Sequence, residues 1–417
     1  MPIHTTTRPE TTALLAHKGV ERIFAIFNGA GEETRIVGGS VRNALAGQHV
    51  HEFDFATTAL PEIIQARAEA AGLKYIPTGI EHGTITILAG GESFEITTLR
   101  KDVETDGRRA IVRFGRDFEE DAHRRDFTIN ALSMDQHGTL YDYTGGLADL
   151  AAGRVRFIGA ARQRIREDYL RILRLFRFSA DFAGGRLDAE GLDAAIRERE
   201  GLRRLSTERI RAELLKLMGG KRVAEVAYEI AEAGLFTPLL PLVPQPSRLN
   251  RFITIETEAT QDPLLRLAAL FTMVRENVTA LRVHLSLSNA ETTRLDHAVT
   301  LASSLHALAE PPSEPAMRAL LLHRSHQTLD DAFVLTQAGA PAALGAAWAS
   351  ARARLRTLPK PKLPFSGADL IARGISPGPG MGEALQRLEK AWIAAGFPED
   401  SESLAALLDR IAPARRV

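Results

Sequence analysis

Apolar positions follow two rhythms along this chain, and the change comes near residue 155. In residues 10–28, Leu14, Leu15, Val20, Ile23, Phe24 and Phe27 recur near a 3.6-residue period, which predicts a helix. P-E-I-I-Q-A-R-A-E-A-A-G opens on Pro61 and closes on Gly72, a second helix with start and stop signals in place. Three β-branched runs then predict strands: L-K-Y-I-P-T-G, T-I-T-I-L after Gly83, and S-F-E-I-T-T-L-R. Ala89-Gly90-Gly91-Glu92 joins the last two as a hairpin turn. Residues 101–115 are polar and turn-prone and are expected to form a mobile loop, followed by a helix through 119–134. Beyond 155 strand signals disappear, and Ala-, Leu- and Arg-rich helical patterning runs on, broken by proline clusters at 238–246, 311–315 and 359–364. The pattern predicts an α+β chain: a mixed α/β head built on a small sheet, then a long all-helical body.

Composition narrows the chemistry. A chain of 417 residues has room for two to four domains. Lys+Arg and Asp+Glu number 52 each, so no overall basic field announces nucleic acid and any such signal has to be local. The absence of cysteine excludes disulfides, cysteine–zinc sites and thiol nucleophiles, and fits a reducing compartment. The N-terminus lacks an apolar signal core and no run of about 18 apolar residues occurs, so the expectation is a soluble cytoplasmic protein without a membrane span.

One stretch stands out, R-I-V-G-G-S-V-R-N-A-L-A-G-Q-H-V-H-E-F-D-F-A-T-T at 35–58. Gly38-Gly39-Ser40 follows the apolar Ile36-Val37 and opens a helix carrying Arg42, an arrangement that lets backbone N–H groups approach an anion. Glu52 and Asp54 lie two residues apart, so on a strand both carboxylates face the same way. Paired carboxylates beside a phosphate cradle suit a magnesium-dependent phosphoryl or nucleotidyl transfer, because Mg²⁺ fills its shell with phosphate and water oxygens.

A second constellation is a run of arginines. Between Arg154 and Arg177 there are eight of them against two acids, Glu167 and Asp168. A helical reading of R-E-D-Y-L-R-I-L-R-L-F-R-F groups Ile172, Leu173, Phe176 and Ala180 on one side. Asp168, Arg171, Arg174 and Arg177, spaced by three, fall on the other. Asp168 and Arg171 could pair with a base edge while Arg174 and Arg177 meet phosphates; a solvated helix face with Asp–Arg pairs is the plainer alternative. The cluster R-R-D-F-T-I-N, with Arg125 and Asp126, is a third charged site next to apolar sequence.

These motifs, in this order, resemble those of the class II tRNA nucleotidyltransferase (CCA-adding) and bacterial poly(A) polymerase family. The matching segments are G-G-S-V-R-N with E-F-D-F-A-T-T, E-H-G-T-I-T-I, F-E-I-T-T-L-R, R-R-D-F-T-I-N-A-L, G-G-L-A-D-L, R-E-D-Y-L-R-I-L-R-L-F-R-F and S-T-E-R-I-R-A-E-L-L-K-L, covering about 35–217. G-I-S-P-G-P-G-M-G-E-A-L-Q-R-L-E-K-A-W-I resembles a tail pattern of the family. The resemblance implies a polymerase-β-like head at 1–150, a neck at 151–217, a body at 218–306 and a tRNA-binding tail at 307–417. It implies that a tRNA 3′-hydroxyl attacks the α-phosphate of CTP or ATP with release of pyrophosphate. Glu52 and Asp54 would hold Mg²⁺, with Glu95 as a further catalytic carboxylate. Gly38, Gly39, Ser40 and Arg42 would hold the triphosphate, and Arg125 with Asp126 would contact the nucleotide. Asp168 and Arg171 would pair with the incoming base in place of a nucleic-acid template, with Arg174 and Arg177 completing the pocket.

Two positions depart from the family pattern. Glu52 stands where an aspartate is usual, and Asn43 stands where V-R-D is usual, removing a charge near the triphosphate site. The segment Y-I-P-T-G-I-E-H-G-T-I-T-I resembles the CCA-type version rather than the arginine-bearing poly(A) version, which favours CCA addition over poly(A) synthesis; partial CC-only or A-only addition stays open beside it. An RNA-binding paralogue with weakened catalysis is the reading from another class. Outside these motifs, His323 and His326 lack a third metal ligand and read as surface histidines. Trp348 and Trp392 are expected to anchor helices of the tail.

Overall fold

The computed structural model describes residues 3–5, 9–106, 109–256 and 261–412, and divides into compact units at 1–241 and 242–417. The first unit is organised by strand alternation. Strand β1 is Ile3–Thr5, β2 Thr34–Val37, β3 Phe53–Thr57, β4 Lys74–Gly79, β5 Thr84–Ala89, β6 Glu92–Thr98, β7 Arg100–Asp106, β8 Arg109–Phe114, β9 Ser133–Met134 and β10 Leu140–Asp142. Eight of them form one sheet in the order β1-β10-β9-β2-β3-β6-β5-β4, with β7 and β8 as a separate ribbon. On β3, Phe53 and Phe55 enter the core, as do Phe94 and Ile96 on β6, so Asp54 and Glu95 face the other way. Helices α1 (Pro9–Leu15), α2 (Lys18–Phe27), α3 (Gly39–Leu45) and α4 (Pro61–Ala70) supply the rest of that core through Val20, Ile23, Phe24, Phe27, Val41 and Ile64.

The expected hairpin is present: Gly90 and Gly91, both at positive φ, turn β5 into β6 with Ala89 opposite Glu92. Three local expectations need correction. Residues 10–28 form two helices, broken at Ala16–His17, and the second opens with Gly19 packed against the tip of the Phe94 ring. A Cβ on Gly19 would stand 2.2 Å from that ring, so only glycine permits this approach. The segment 101–115, read as a loop, pairs as the β7–β8 ribbon with a register shift between Asp102 and Glu104; Gly107 and Arg108 lie outside the described residues. The helix expected through 119–134 covers only α5 (Phe118–His123), capped by the Asp117 carboxylate. A 3₁₀ turn at Thr128–Asn130 and strand β9 follow, because Phe127 bridges to Phe157 and buries its ring there.

Helices α6 (Gly146–Ala151), α7 (Ala161–Glu167), α8 (Leu170–Phe182), α9 (Ala189–Glu198), α10 (Thr207–Met218) and α11 (Val223–Glu232) complete the first unit. Ile172, Leu173, Phe176 and Ala180 are all buried, as the helical reading of this segment required. Asp168 is not on that helix. It sits in extended backbone between α7 and α8, where Tyr169 packs so closely over Gly201 that a Cβ there would lie 1.9 Å from the ring.

The second unit is helical, from α12 (Pro246–Ile255) to α21 (Ser401–Ile411), and its first residue falls within the 238–246 proline cluster. Trp348 packs edge-on against Phe333 at 5.5 Å, and Trp392 against Phe397 at 4.9 Å. His323 ends one helix and His326 begins the next, and each has a structural partner, Glu389 and the Leu358 carbonyl. Among the described residues no helix is long and apolar enough to cross a membrane.

Candidate active site

A cavity of about 530 Å³ opens within the first unit, above the face of β3 that carries Asp54. Gly38, Gly39, Arg42, Glu52, Asp54, Arg125, Asp126, Asp168, Arg171, Arg174 and Arg177 all line it, although up to 139 residues separate them in the chain. Among the described residues its wall holds nine cationic side chains against four carboxylates, the local basic field that the neutral chain as a whole conceals. Such a field attracts a polyanion and raises its local concentration.

The carboxylate end is positioned by Ser40. Its hydroxyl donates to the Glu52 carbonyl at 2.9 Å and accepts from the Asp54 N–H at 3.1 Å. Ser40 therefore clamps the backbone between the two acids, and it is not among the residues lining the cavity. Glu52 precedes β3 by one residue and is exposed, while Asp54 is half-buried on the strand. Glu95 stands directly across the parallel β3–β6 pair from Asp54 but does not reach the cavity wall. Burial, then the negative charges of Glu95 and Glu52 against the pull of Arg125 and Arg42, push the Asp54 carboxyl up to about 6. Like-charge crowding of this kind favours a bound cation. Among the described residues no three or more His, Cys, Asp or Glu side chains stand together in metal-holding geometry. Two hard carboxylates without a closed cage fit an ion that completes its shell from phosphate and water.

The turn above the acids is shaped for a guanidinium. Gly38 has φ 65°, and a Cβ there would lie 2.9 Å from Arg125 Nη1, so glycine answers both the backbone and the neighbour. Arg125 is held by Asp121 Oδ2 at 3.1 Å. Arg42 is buried and donates from Nε and Nη2 to Asn43 Oδ1, at 3.1 and 2.8 Å, and from Nη1 to Asn130 Oδ1. Asn43 thus keeps an acceptor but supplies no countercharge. Burial, then the nearby Arg177, lower the Arg42 guanidinium to about 10 against the opposing pull of Asp126 and Asp181, so it stays charged near neutrality.

Asn130 passes the chain on, donating through Nδ2 to Asp126 Oδ1 at 3.0 Å. Asp126 Oδ2 accepts from Arg174 Nε at 2.6 Å, and Arg177 Nε donates to Glu213 Oε2 at 2.7 Å. Burial alone would raise the Asp126 carboxyl; Arg174, Asn130 and the Phe127 N–H together hold it below its usual range. Asp126, Arg174 and Arg177 are engaged with protein groups, and this line of polar contacts ties α8 to the 126–130 turn. Phe178 lies beneath three guanidiniums, those of Arg177, Arg42 and Arg174, at 4.0, 4.8 and 5.2 Å.

At the far wall, Asp168 Oδ2 accepts from Arg209 Nη2 at 2.6 Å, and Oδ1 accepts from the Leu170 N–H at 3.1 Å. Arg171 Nη1 donates to Glu167 Oε2 at 2.5 Å and to the Arg164 carbonyl at 2.7 Å. Arg164 reaches in turn to the carbonyls of Arg124 and Arg125.

Among the described residues, seven further lining residues had no individual role assigned from sequence: Arg100, Arg124, Asn130, Leu170, Phe178, Arg209 and Lys216. Arg209, Glu213 and Lys216 are spaced by four and three, which puts them on one face of α10, a signal available in S-T-E-R-I-R-A-E-L-L-K-L. Asn130 had no such signal, since its role depends on a turn that only the burial of Phe127 creates.

Comparison with known proteins places this geometry. The Poly A polymerase head domain family matches residues 34–156, and the family described as the probable RNA and SrmB- binding site of polymerase A matches 187–245. The CCA tRNA nucleotidyltransferase 1, mitochondrial, of Mus musculus is 35% identical over 411 residues, covering 96% of this chain and 92% of the mouse protein. The CCA-adding enzyme of Levilactobacillus brevis is 32% identical over 387 residues, covering 90% and 94% respectively. The crystal structure of the Bacillus stearothermophilus CCA-adding enzyme in complex with CTP superposes with a TM-score of 0.72 at 27% identity, covering 97% of this chain and 98% of that one. The glycine turn, the carboxylates and the α8 arginines meet in one cavity on a chain similar to these proteins over nearly its whole length, and the chain belongs to the CCA-adding tRNA nucleotidyltransferase family.

Proposed function

We propose that this protein adds C, C and A to the 3′ end of tRNA from CTP and ATP, without a nucleic-acid template. One observation carries the reading: the Glu52–Asp54 pair and the Asp168–Arg171 pair line the same cavity. The first pair suits phosphoryl chemistry and the second suits a base edge, so a single nucleoside triphosphate can engage both. Arg42 and Arg125 would hold the triphosphate, with Gly38 and Gly39 allowing its approach. Asp168 would accept from the exocyclic amino group that cytosine carries at N4 and adenine at N6, where uracil and guanine carry a carbonyl oxygen, while Arg171 donates beside it. Glu52 and Asp54 would hold Mg²⁺, with Glu95 adding negative charge behind Asp54; when bound, the ion supplies charge neutralisation and activation of the attacking hydroxyl. Asp126, Arg174 and Arg177 act as positioning groups, and Ser40 fixes the spacing of the two acids.

The division into head 1–150, neck 151–217, body 218–306 and tail 307–417 is part of this proposal, with the tail gripping tRNA. The cysteine-free composition supports a cytoplasmic location. Incorporation of labelled CTP and ATP into tRNA lacking its 3′ end, with magnesium, tests the reading. Retained tRNA binding without incorporation would point instead to the RNA-binding paralogue.

A further inference from the structure

Helix α10 turns a charged face to the cavity: Arg209 and Lys216 line it, and Glu213, between them on the same face, holds Arg177. The helix is anchored by the buried Ile210, Leu214, Leu217 and Met218, so this face is a fixed wall. Arg209 meets the one carboxylate that the proposed function assigns to base reading.

Asp168 needs such a partner for a local reason. It lies in the break between α7 and α8, in extended backbone, where no turn of helix restrains its side chain. One oxygen accepts the Leu170 N–H two residues on, a contact within its own loop. The bond from Arg209, 41 residues away, fixes the other oxygen. The setting makes that restraint consequential, because Arg171, Arg174 and Arg177 line the same cavity. A carboxylate free to turn would have other guanidiniums to pair with, and the acceptor presented to a base would be lost.

We propose that Arg209 is a positioning residue for nucleotide selection: its guanidinium sets the Asp168 carboxylate in the orientation through which the exocyclic amino group of the incoming base is recognised. The inference rests on the CCA-adding reading above. It makes selection for the cytosine N4 or adenine N6 amino group depend on a residue 41 positions from the one that reads it.

The test compares the full-length protein with Arg209→Gln, Arg209→Lys, Asp168→Asn and the Arg209→Gln/Asp168→Asn double variant. Steady-state addition of CTP and UTP to tRNA lacking its 3′ end is measured for each, with equilibrium binding of the same nucleotides. Loss of one hydrogen bond to a charged group predicts that Arg209→Gln lowers the CTP-over-UTP preference about tenfold or more. The loss should fall mainly on KM for CTP, with kcat little changed. Arg209→Lys should restore part of the preference, and the double variant should lose no more than Asp168→Asn alone. Equal loss for CTP and UTP, additive effects in the double variant, or tighter nucleotide binding by Arg209→Gln would overturn the proposal. The last result would mean that Arg209 competes with the base. Should Arg209→Gln fold poorly, the preference is read in a well-folded Arg209→Met, which also lacks the donor to Asp168; an unchanged CTP-over-UTP preference there would count against the proposal equally. If the unmodified chain incorporates neither CTP nor ATP, the proposed function fails, while the ratio of CTP to UTP affinities across the variants still decides the role of Arg209.

Discussion

Asp54 and Glu95 face each other across the parallel β3–β6 pair, and this opposition sets the electrostatics of the carboxylate site. Burial of Asp54, then the charge of Glu95, raise its carboxyl from an ordinary 3.8 to about 6. The folded protein therefore binds that proton more tightly than the unfolded chain does. The contribution favours the fold below the ordinary value and is lost as pH rises through about 6. Without divalent cation, Asp54→Asn should gain thermal stability over the unmodified protein as pH rises from about 4 to about 7. Magnesium at neutral pH should raise the melting temperature of the unmodified protein and leave Asp54→Asn unmoved. A pH-independent difference between the two proteins would contradict the crowding described here.

Gly38 carries two constraints, a left-handed φ of 65° and the Arg125 guanidinium 2.9 Å from where a Cβ would sit. Gly38→Ala should cost about 1–2 kcal/mol in a denaturant titration, because a side chain is strained in that region. Because the Arg125 side chain can shift its far end, the larger effect should appear as a raised KM for both nucleotides. An alanine variant with unchanged KM would remove Arg125 from the nucleotide site.

The two departures from the family pattern now have separate expectations. Asn43 Oδ1 already accepts two bonds from Arg42, so Asn43→Asp adds only countercharge to a buried guanidinium. It should raise the melting temperature and change turnover little, by about twofold or less. Glu52 lies one residue before β3 and is exposed, so its reach is set by side-chain length rather than packing. Glu52→Asp moves the carboxylate by about 1 Å, a displacement that can change rate by up to about 10²-fold where reacting groups must align. Single-turnover addition should become faster with Glu52→Asp; slower addition would show that the backbone of this chain is matched to the longer acid.

Asp126 is buried and joins Asn130 to Arg174. Asp126→Asn removes the nearer charge partner of Arg174 and leaves it Glu213 at 3.9 Å; with the Arg174 side chain about a third exposed the expected loss is about 2 kcal/mol. Equilibrium unfolding measures this directly. A loss below about 0.5 kcal/mol would place the pair among solvent-screened surface contacts.

Much of the cavity lining is legible from local spacing in the sequence. Gly38, Asp54, Arg125 and Asp168 each belong to a short motif whose chemistry is readable within a few residues, and all four line one cavity. What stayed hidden depended on packing between distant segments. Asp168 looked like a helical neighbour of Arg171 until Tyr169, packed on Gly201, broke the helix. The ribbon at 100–114 was unreadable because its pairing register lies in backbone contacts rather than in an apolar stripe. Ser40 read as a triphosphate ligand, whereas its hydroxyl bonds the backbone of the two acids, a contact that needs α3 and β3 side by side.

The most direct measurement of the central claim is the 3′-terminal sequence of the product made from tRNA lacking its last three nucleotides, with CTP, ATP and magnesium all present. The account predicts that the product gains C-C-A and stops, and that Asp168→Ala, with tRNA affinity retained, loses the order of addition. A run of adenosines without cytidine, from the unmodified protein, would contradict it.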